Sequence, residues 1–160
     1  MARFQFVLLG AGFIARKWIE TVKARDDCEV VGIAARSQGM AKELQRDLDL
    51  TGATLYGSWE EAVDQTKAEG VLITLPQALH PEVILRALRA GKHILCEKPL
   101  AVDMAGVHVV CKGMREYPDR VIMVNQNYRW RSHVQALRQA IRERISLSPG
   151  PACGHRECRF

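Results

Sequence analysis

Short apolar runs recur along this sequence with longer segments of helical period between them, and that alternation limits the fold more than any other feature. The runs are Phe6-Val7-Leu8-Leu9, Val30-Val31-Gly32-Ile33, Val71-Leu72-Ile73, Ile94-Leu95-Cys96 and Val121-Ile122-Met123-Val124. They are continuous rather than alternating with polar residues, as expected of strands covered on both faces. Between them, Ile14, Trp18 and Val22 repeat at helical spacing, as do Val83, Ile84, Ala87 and Leu88. Strand and helix in turn predict an α/β domain on a doubly wound, mostly parallel sheet, because right-handed crossovers lay helices on both faces. Ligands of such sheets bind outside the carboxyl ends of the strands, so the chemistry is expected just after each run.

Local signals set the boundaries. Ser37 is suited to cap a helix running towards Asp49, and Ser58 with Glu61 has the form of a capping box. Pro81 suits the first turn of a helix, where its missing N–H costs nothing, and Gly91 stands where a left-handed cap would end that helix. A length of 160 residues fits one domain. The expected division is a nucleotide-binding domain over 1–131, a linking helix over 132–145 and an irregular tail over 146–160. The helix carries Val134, Leu137, Ile141 and Ile145 on one face.

Composition narrows the class. With 48% apolar and 26% charged residues the chain can fill a core and stay in solution. No apolar run approaches the roughly 20 residues of a membrane span, and the first residues enter strand-like sequence without the regions of a signal peptide. Cysteines number five, an odd count, and Cys28, Cys96 and Cys111 lie in apolar stretches, which suits free thiols and a cytoplasmic location. The net charge of +5 gathers at Arg129, Arg131, Arg138, Arg142 and Arg144. It reads as a solvated face, since no nucleic-acid fold accompanies it.

Gly10-Ala11-Gly12-Phe13-Ile14-Ala15 closes the first strand and opens the first helix, the setting in which a dinucleotide fingerprint carries meaning. Gly10 permits the tight turn, Gly12 lets a pyrophosphate approach the backbone, and Ala15 lets helix pack on strand. The free amides and partial positive charge of the helix start would meet the phosphates. At the end of the second strand, where NAD-binding domains carry a carboxylate for the ribose 2′-hydroxyl, stands Ala35, followed by Arg36 and Ser37. A planar cation and a hydroxyl there favour a 2′-phosphate, hence NADP(H) over NAD(H); the alternative is that Arg36 is a solvated residue and NAD(H) binds by other contacts.

Further along come Thr74-Leu75-Pro76-Gln77-Ala78-Leu79-His80-Pro81, Gly91-Lys92-His93-Ile94-Leu95-Cys96-Glu97-Lys98-Pro99-Leu100-Ala101 and Asn127-Tyr128-Arg129-Trp130. With the glycine fingerprint, and in this order, Pro76 to His80, Gly91 to Ala101 and Asn127 to Trp130 resemble the glucose-fructose oxidoreductase, inositol dehydrogenase and rhizopine-catabolism (Gfo/Idh/MocA) family over residues 4 to about 145. The resemblance implies a Rossmann fold and an oxidoreductase that moves hydride between a nicotinamide cofactor and a hydroxyl or carbonyl of a sugar, inositol or diol. The expected cofactor contacts are Gly10, Gly12, Phe13, Ile14, Arg36, Ser37, Leu75, Pro76, His80, Glu97 and Lys98. Lys98 is the expected catalytic group, since a cation at the nicotinamide ribose would stabilise charge developing on the substrate oxygen. Pro99 confines Lys98 to an extended conformation and permits a cis bond. Glu97 either orients the lysine, meets ribose or is solvated, and His80 either touches cofactor or caps the helix.

Family members continue into a second domain that covers the nicotinamide and carries the groups for proton transfer. Here Ser146 to Phe160 replaces its start, so a truncated or frame-shifted reading frame is expected, with cofactor binding but little turnover. The alternatives are a nucleotide-binding module without catalysis, acting as a redox sensor or borrowed subunit, and a gene remnant. Cys153, His155 and Cys158 do not have the spacing of common zinc sites, and no metal is expected. The expected partner is a small polyol or sugar-like substrate, with no nucleic acid or membrane, and with a homo-oligomer if the second domain is present.

Overall fold

Why the alternation becomes a sheet is visible in the first strand. β1 (Phe4–Leu9) sends Val7 and Leu9 to one side and Leu8 to the other, and all three are fully buried. The computed structural model describes residues 2–143 and arranges its six strands in the order β3-β2-β1-β4-β5-β6, every pair parallel. The remaining strands are β2 (Cys28–Ala34), β3 (Thr54–Tyr56), β4 (Gly70–Ile73), β5 (His93–Cys96) and β6 (Ile122–Val124). This is the doubly wound Rossmann arrangement, in which the order reverses between β1 and β4.

One face is covered by α1 (Phe13–Lys23) and α2 (Gln38–Asp47), whose Ala15, Ile19, Val22, Ala41 and Leu44 pack with Leu8, Ile33 and Leu72. The other face is covered by α3 (Trp59–Gln65), α4 (His80–Arg89) and α5 (Met104–Glu116), which bury Val63, Ile84, Leu88 and Val110 against Leu9, Ile73 and Cys96. The sequence periodicity placed the core stripe of α1 on Ile14, Trp18 and Val22. The stripe that is buried runs through Ala15, Ile19 and Val22, with Ile14 and Trp18 half-buried on its flank. The glycine turn rotates the helix so that small Ala15, at 0% exposure, meets the sheet.

Caps lie where the sequence placed them, with one change of partner. Ser37 Oγ accepts from Met40 N at 3.3 Å and Ser58 Oγ from Glu61 N at 3.1 Å. The Glu61 carboxylate, however, takes the amide of Gly57 at 2.9 Å rather than that of Ser58, so the box is displaced by one residue. Pro81 falls in the first turn of α4 and Gly91 ends it with φ +71°. The apolar reading missed β3, whose three residues Thr-Leu-Tyr form no run, and α5, which is capped by Asp103 through Gly106 N at 2.8 Å. It also overstated the cover of β6: that strand lies at the sheet edge, with Met123, and Val121 just before it, exposed.

The chain divides into two units, Met1–Asn125 and Gln126–Phe160. Within the second, a short turn of 3-10 helix (Asn127–Trp130) leads into α6 (Ser132–Arg142), and Arg131 lies over the Tyr128 ring at 3.9 Å. The expected tail over 146–160, with Cys153, His155 and Cys158, and Ile145 of the linking helix lie outside the described residues.

Candidate functional site: the crevice at the carboxyl ends of the strands

Each strand that borders the crevice hands its next residue to the last carbonyl of a neighbour. Gly10 N donates to Ala34 O, Thr74 N to Leu9 O, Glu97 N to Ile73 O and Asn125 N to Cys96 O, all between 2.8 and 2.9 Å. The loops that carry the expected site residues therefore start from one line. Leu9, Ile73 and Cys96 are in register across β1, β4 and β5, so Gly10 and Glu97 leave the sheet two strand spacings apart, roughly 10 Å.

The two fingerprint glycines do different work. Gly10 has φ +108°, and a Cβ on it would lie 2.8 Å from Thr74 Oγ1 and 2.9 Å from Thr74 O. Both its conformation and its surroundings exclude a side chain. Thr74 completes the corner through Oγ1, 3.1 Å from the carbonyls of both Leu9 and Gly10. Gly12, by contrast, is the extended N-cap of α1, and a Cβ there would meet nothing within 4 Å. The space above its backbone is open. α2, α3 and α5 close their first turns with the side chains of Ser37, Ser58 and Asp103, whereas α1, like α4 and α6, has no side-chain cap. Its first amides are left without a side-chain acceptor at the positive end of the helix dipole.

An open groove of about 690 Å³ runs from this turn between Arg36, Ser37 and Met40 on one side and Thr74, Leu75 and Pro76 on the other. A hollow of about 370 Å³ adjoins it, where Arg36 meets Trp59, Glu60 and Leu79. Ala35 is 9% exposed and turned into the core, so the groove wall after β2 begins with the exposed Arg36 and Ser37. Phe13 is 93% exposed and Ile14 half-buried. A separate hollow of about 460 Å³ lies at the amino ends of the strands, lined by Arg3, Lys23, Arg25, Asp26 and Gly52, away from the fingerprint. There Arg25 is bound to Asp27, and that guanidinium holds the carboxyl down at about 2.

Lys98 is exposed, and the residues on either side of it are anchored. The Glu97 carboxylate is half-buried and held: Oε1 accepts from Trp18 Nε1 of α1 at 2.8 Å and from Asn125 Nδ2, just past β6, at 2.7 Å. Behind it, burial and the Glu97 charge push the fully buried Cys96 thiol up to about 12. On the other side Pro99, joined to Lys98 by a cis bond, offers its carbonyl to His80. His80 departs from its expected place. It is 1% exposed, with Nδ1 2.7 Å from Pro99 O and Nε2 3.0 Å from Leu75 O, so neither ring nitrogen is free to meet a nucleotide. It is also not the side-chain cap of α4.

The sequence reading thus missed Thr74, Trp18, Asn125 and Trp59. Only the strand order brings the first three to the glycine turn and to Glu97, and no local spacing encodes that. Among the described residues no group of three or more His, Cys, Asp or Glu is placed to hold a metal, and no helix is long and apolar enough to cross a membrane.

Comparison with known proteins agrees with the geometry. A family model described as an oxidoreductase family with an NAD-binding Rossmann fold (GFO_IDH_MocA) matches residues 4–126. The chain is 32% identical over 138 residues to a 1,5-anhydro-D-fructose reductase from Ensifer adhaerens, covering 85% of this chain and 40% of that protein. It is 27% identical over 150 residues to an inositol 2-dehydrogenase from Agrobacterium fabrum, covering 93% and 44%. Among solved structures, scyllo-inositol dehydrogenase from Lactobacillus casei with bound NAD(H) and scyllo-inositol superposes with a TM-score of 0.80 at 15% identity, covering 88% of this chain and 41% of that one. The chain spans less than half the length of each of these proteins.

Proposed function

The chain belongs to the Gfo/Idh/MocA oxidoreductase family, and from that premise we propose that it binds NADP(H) in preference to NAD(H) in the crevice of a domain over residues 1–131. The observation that carries this reading is Arg36. It is an exposed cation in the same groove as Gly10 and Gly12, at the point where Ala35 leaves no carboxylate to repel a 2′-phosphate. The open space above Gly12 and the uncapped start of α1 fit a pyrophosphate, and the groove wall of Leu75 and Pro76 fits the adenosine beside it. NAD(H) is the second candidate, supported by Glu60 in the adjoining hollow, a carboxylate suited to a ribose hydroxyl. The test is the pair of dissociation constants for NADPH and NADH. Arg36→Ala is expected to weaken NADPH about tenfold and leave NADH unchanged, the loss of one charge-assisted contact. An unchanged NADPH constant would overturn the preference.

The nicotinamide, when bound, supplies the hydride donor or acceptor at carbon. Lys98 is the residue assigned to the reaction: its ammonium polarises the hydroxyl or carbonyl oxygen of the substrate and stabilises negative charge there. The substrate class, a sugar, inositol or diol, is supported by the names of the relatives, an anhydrofructose reductase and an inositol dehydrogenase. A small-molecule partner and a cytoplasmic location belong to the same proposal. A second reading, nucleotide binding without turnover, is supported by the exposure of Lys98, since a reacting centre open to water loses much of its electrostatic advantage. A dehydrogenase screen over sugars and polyols tests the two: turnover of any of them selects the oxidoreductase and overturns the binding module.

A further inference from the structure

A histidine enclosed between two carbonyl oxygens is an unusual use of a titratable ring. Carbonyl oxygens only accept, so Pro99 O at 2.7 Å and Leu75 O at 3.0 Å each call for an N–H from His80. A neutral imidazole has one N–H and turns a lone pair to the second carbonyl; a ring carrying protons on both nitrogens donates twice. The neutral ring therefore hydrogen-bonds one carbonyl and only packs against the other, whereas the doubly protonated ring ties the loop after β4 to the loop after β5 through both. These loops carry different parts of the crevice: Leu75 walls the groove, and Pro99 follows Lys98. Volume alone does not call for a histidine here, because a leucine or phenylalanine would fill an apolar gap without polar atoms to satisfy.

Lys98 itself makes the bridge consequential. Its side chain is long, exposed and rotamer-rich, so its position depends on how firmly its backbone is held. Glu97 holds one shoulder to α1 and to the end of β6 through Trp18 and Asn125. We infer that His80 is the positioning residue for the other shoulder, fixing Lys98 through the Pro99 carbonyl at a set distance from the groove wall at Leu75. The inference rests on Lys98 meeting the nicotinamide end of a bound cofactor, as proposed above.

A thermodynamic cycle on NADPH binding tests it, using the full 160-residue chain and reduced-nicotinamide fluorescence as the readout. The variants are Lys98→Ala, His80→Gln and the double substitution, with adenosine 2′,5′-bisphosphate as a probe that lacks the nicotinamide. Lys98→Ala alone is expected to weaken NADPH about tenfold, but less than about twofold once His80→Gln is present, because a lysine that is no longer positioned has little to lose. Binding of the bisphosphate is unchanged by Lys98→Ala in either background. Losses that simply multiply overturn the inference and leave Lys98 in its role. If Lys98→Ala changes nothing while both probes bind the parent chain, the role of Lys98 fails and the inference falls with it; if neither probe binds, the nucleotide site itself is wrong. Should His80→Gln fail to fold by circular dichroism, nitrogen-15 spectra of the parent chain decide instead. The inference expects a protected ring N–H of His80 that shifts with NADPH and not with the bisphosphate, and a signal unmoved by NADPH overturns it.

Discussion

The glycine turn and the Glu97-Lys98-Pro99 segment both leave the sheet at the carboxyl ends of its strands, yet they are held in opposite ways. The turn is made by what is missing: Gly10 adopts φ +108° against Thr74, and Gly12 leaves its backbone bare. The lysine segment is made by attachments drawn from distant parts of the chain, Trp18 and Asn125 to Glu97 and His80 to Pro99. The turn owes its conformation to its own glycines and takes Thr74 as a closing contact from the end of β4, whereas the lysine segment owes its hold to distant side chains alone. The first is most sensitive to change at the glycines themselves, and the second to change at residues far from it in sequence.

Gly10→Ala should break the first half of that comparison hardest. A Cβ at a positive φ, 2.9 Å from a backbone carbonyl, is expected to cost on the order of 3 kcal/mol of stability, read as a lowered midpoint in urea. A loss below about 0.5 kcal/mol would mean that the corner rearranges freely. Glu97→Gln probes the second half. It keeps the shape but replaces a charged acceptor of two hydrogen bonds, and should cost about 1 to 2 kcal/mol. Trp18 emission should shift with it, because the indole N–H loses its carboxylate; unchanged emission in a Trp59→Phe, Trp130→Phe background would show that the bond is not formed in solution. Gly12→Ala sharpens the contrast with the smallest structural effect. Nothing lies within 4 Å of the added methyl, so stability should move by less than about 0.5 kcal/mol while NADPH affinity falls several-fold. Equal losses of stability at Gly10 and Gly12 would erase the distinction between the two glycines.

What the sequence disclosed follows the same division. Strands β1, β2, β4 and β5 were legible because parallel strands buried on both faces read as apolar runs, and the fingerprint was legible because it is contiguous. β3 was not, since its Thr54-Leu55-Tyr56 lies near the outer end of the sheet with only Tyr56 buried. The helical face of α1 was read about one position out of place, because half-buried Trp18 outweighs small Ala15 in any apolar pattern although Ala15 is the residue on the sheet. In the site, Lys98 was found through a run of neighbours, while Trp18, Asn125 and Thr74 had no signal: each acts across at least 28 positions of sequence. His80 was singled out for the wrong reason, since a sequence places a histidine near a site without saying whether its ring looks outward or in.

The bare backbone at Gly12 also bears on what a selection experiment would see. A library of variants sorted only for folding would treat this position as neutral, because the added atoms enter empty space. Drift there would go unnoticed until a nucleotide was offered, and only a sort that included the ligand would return glycine.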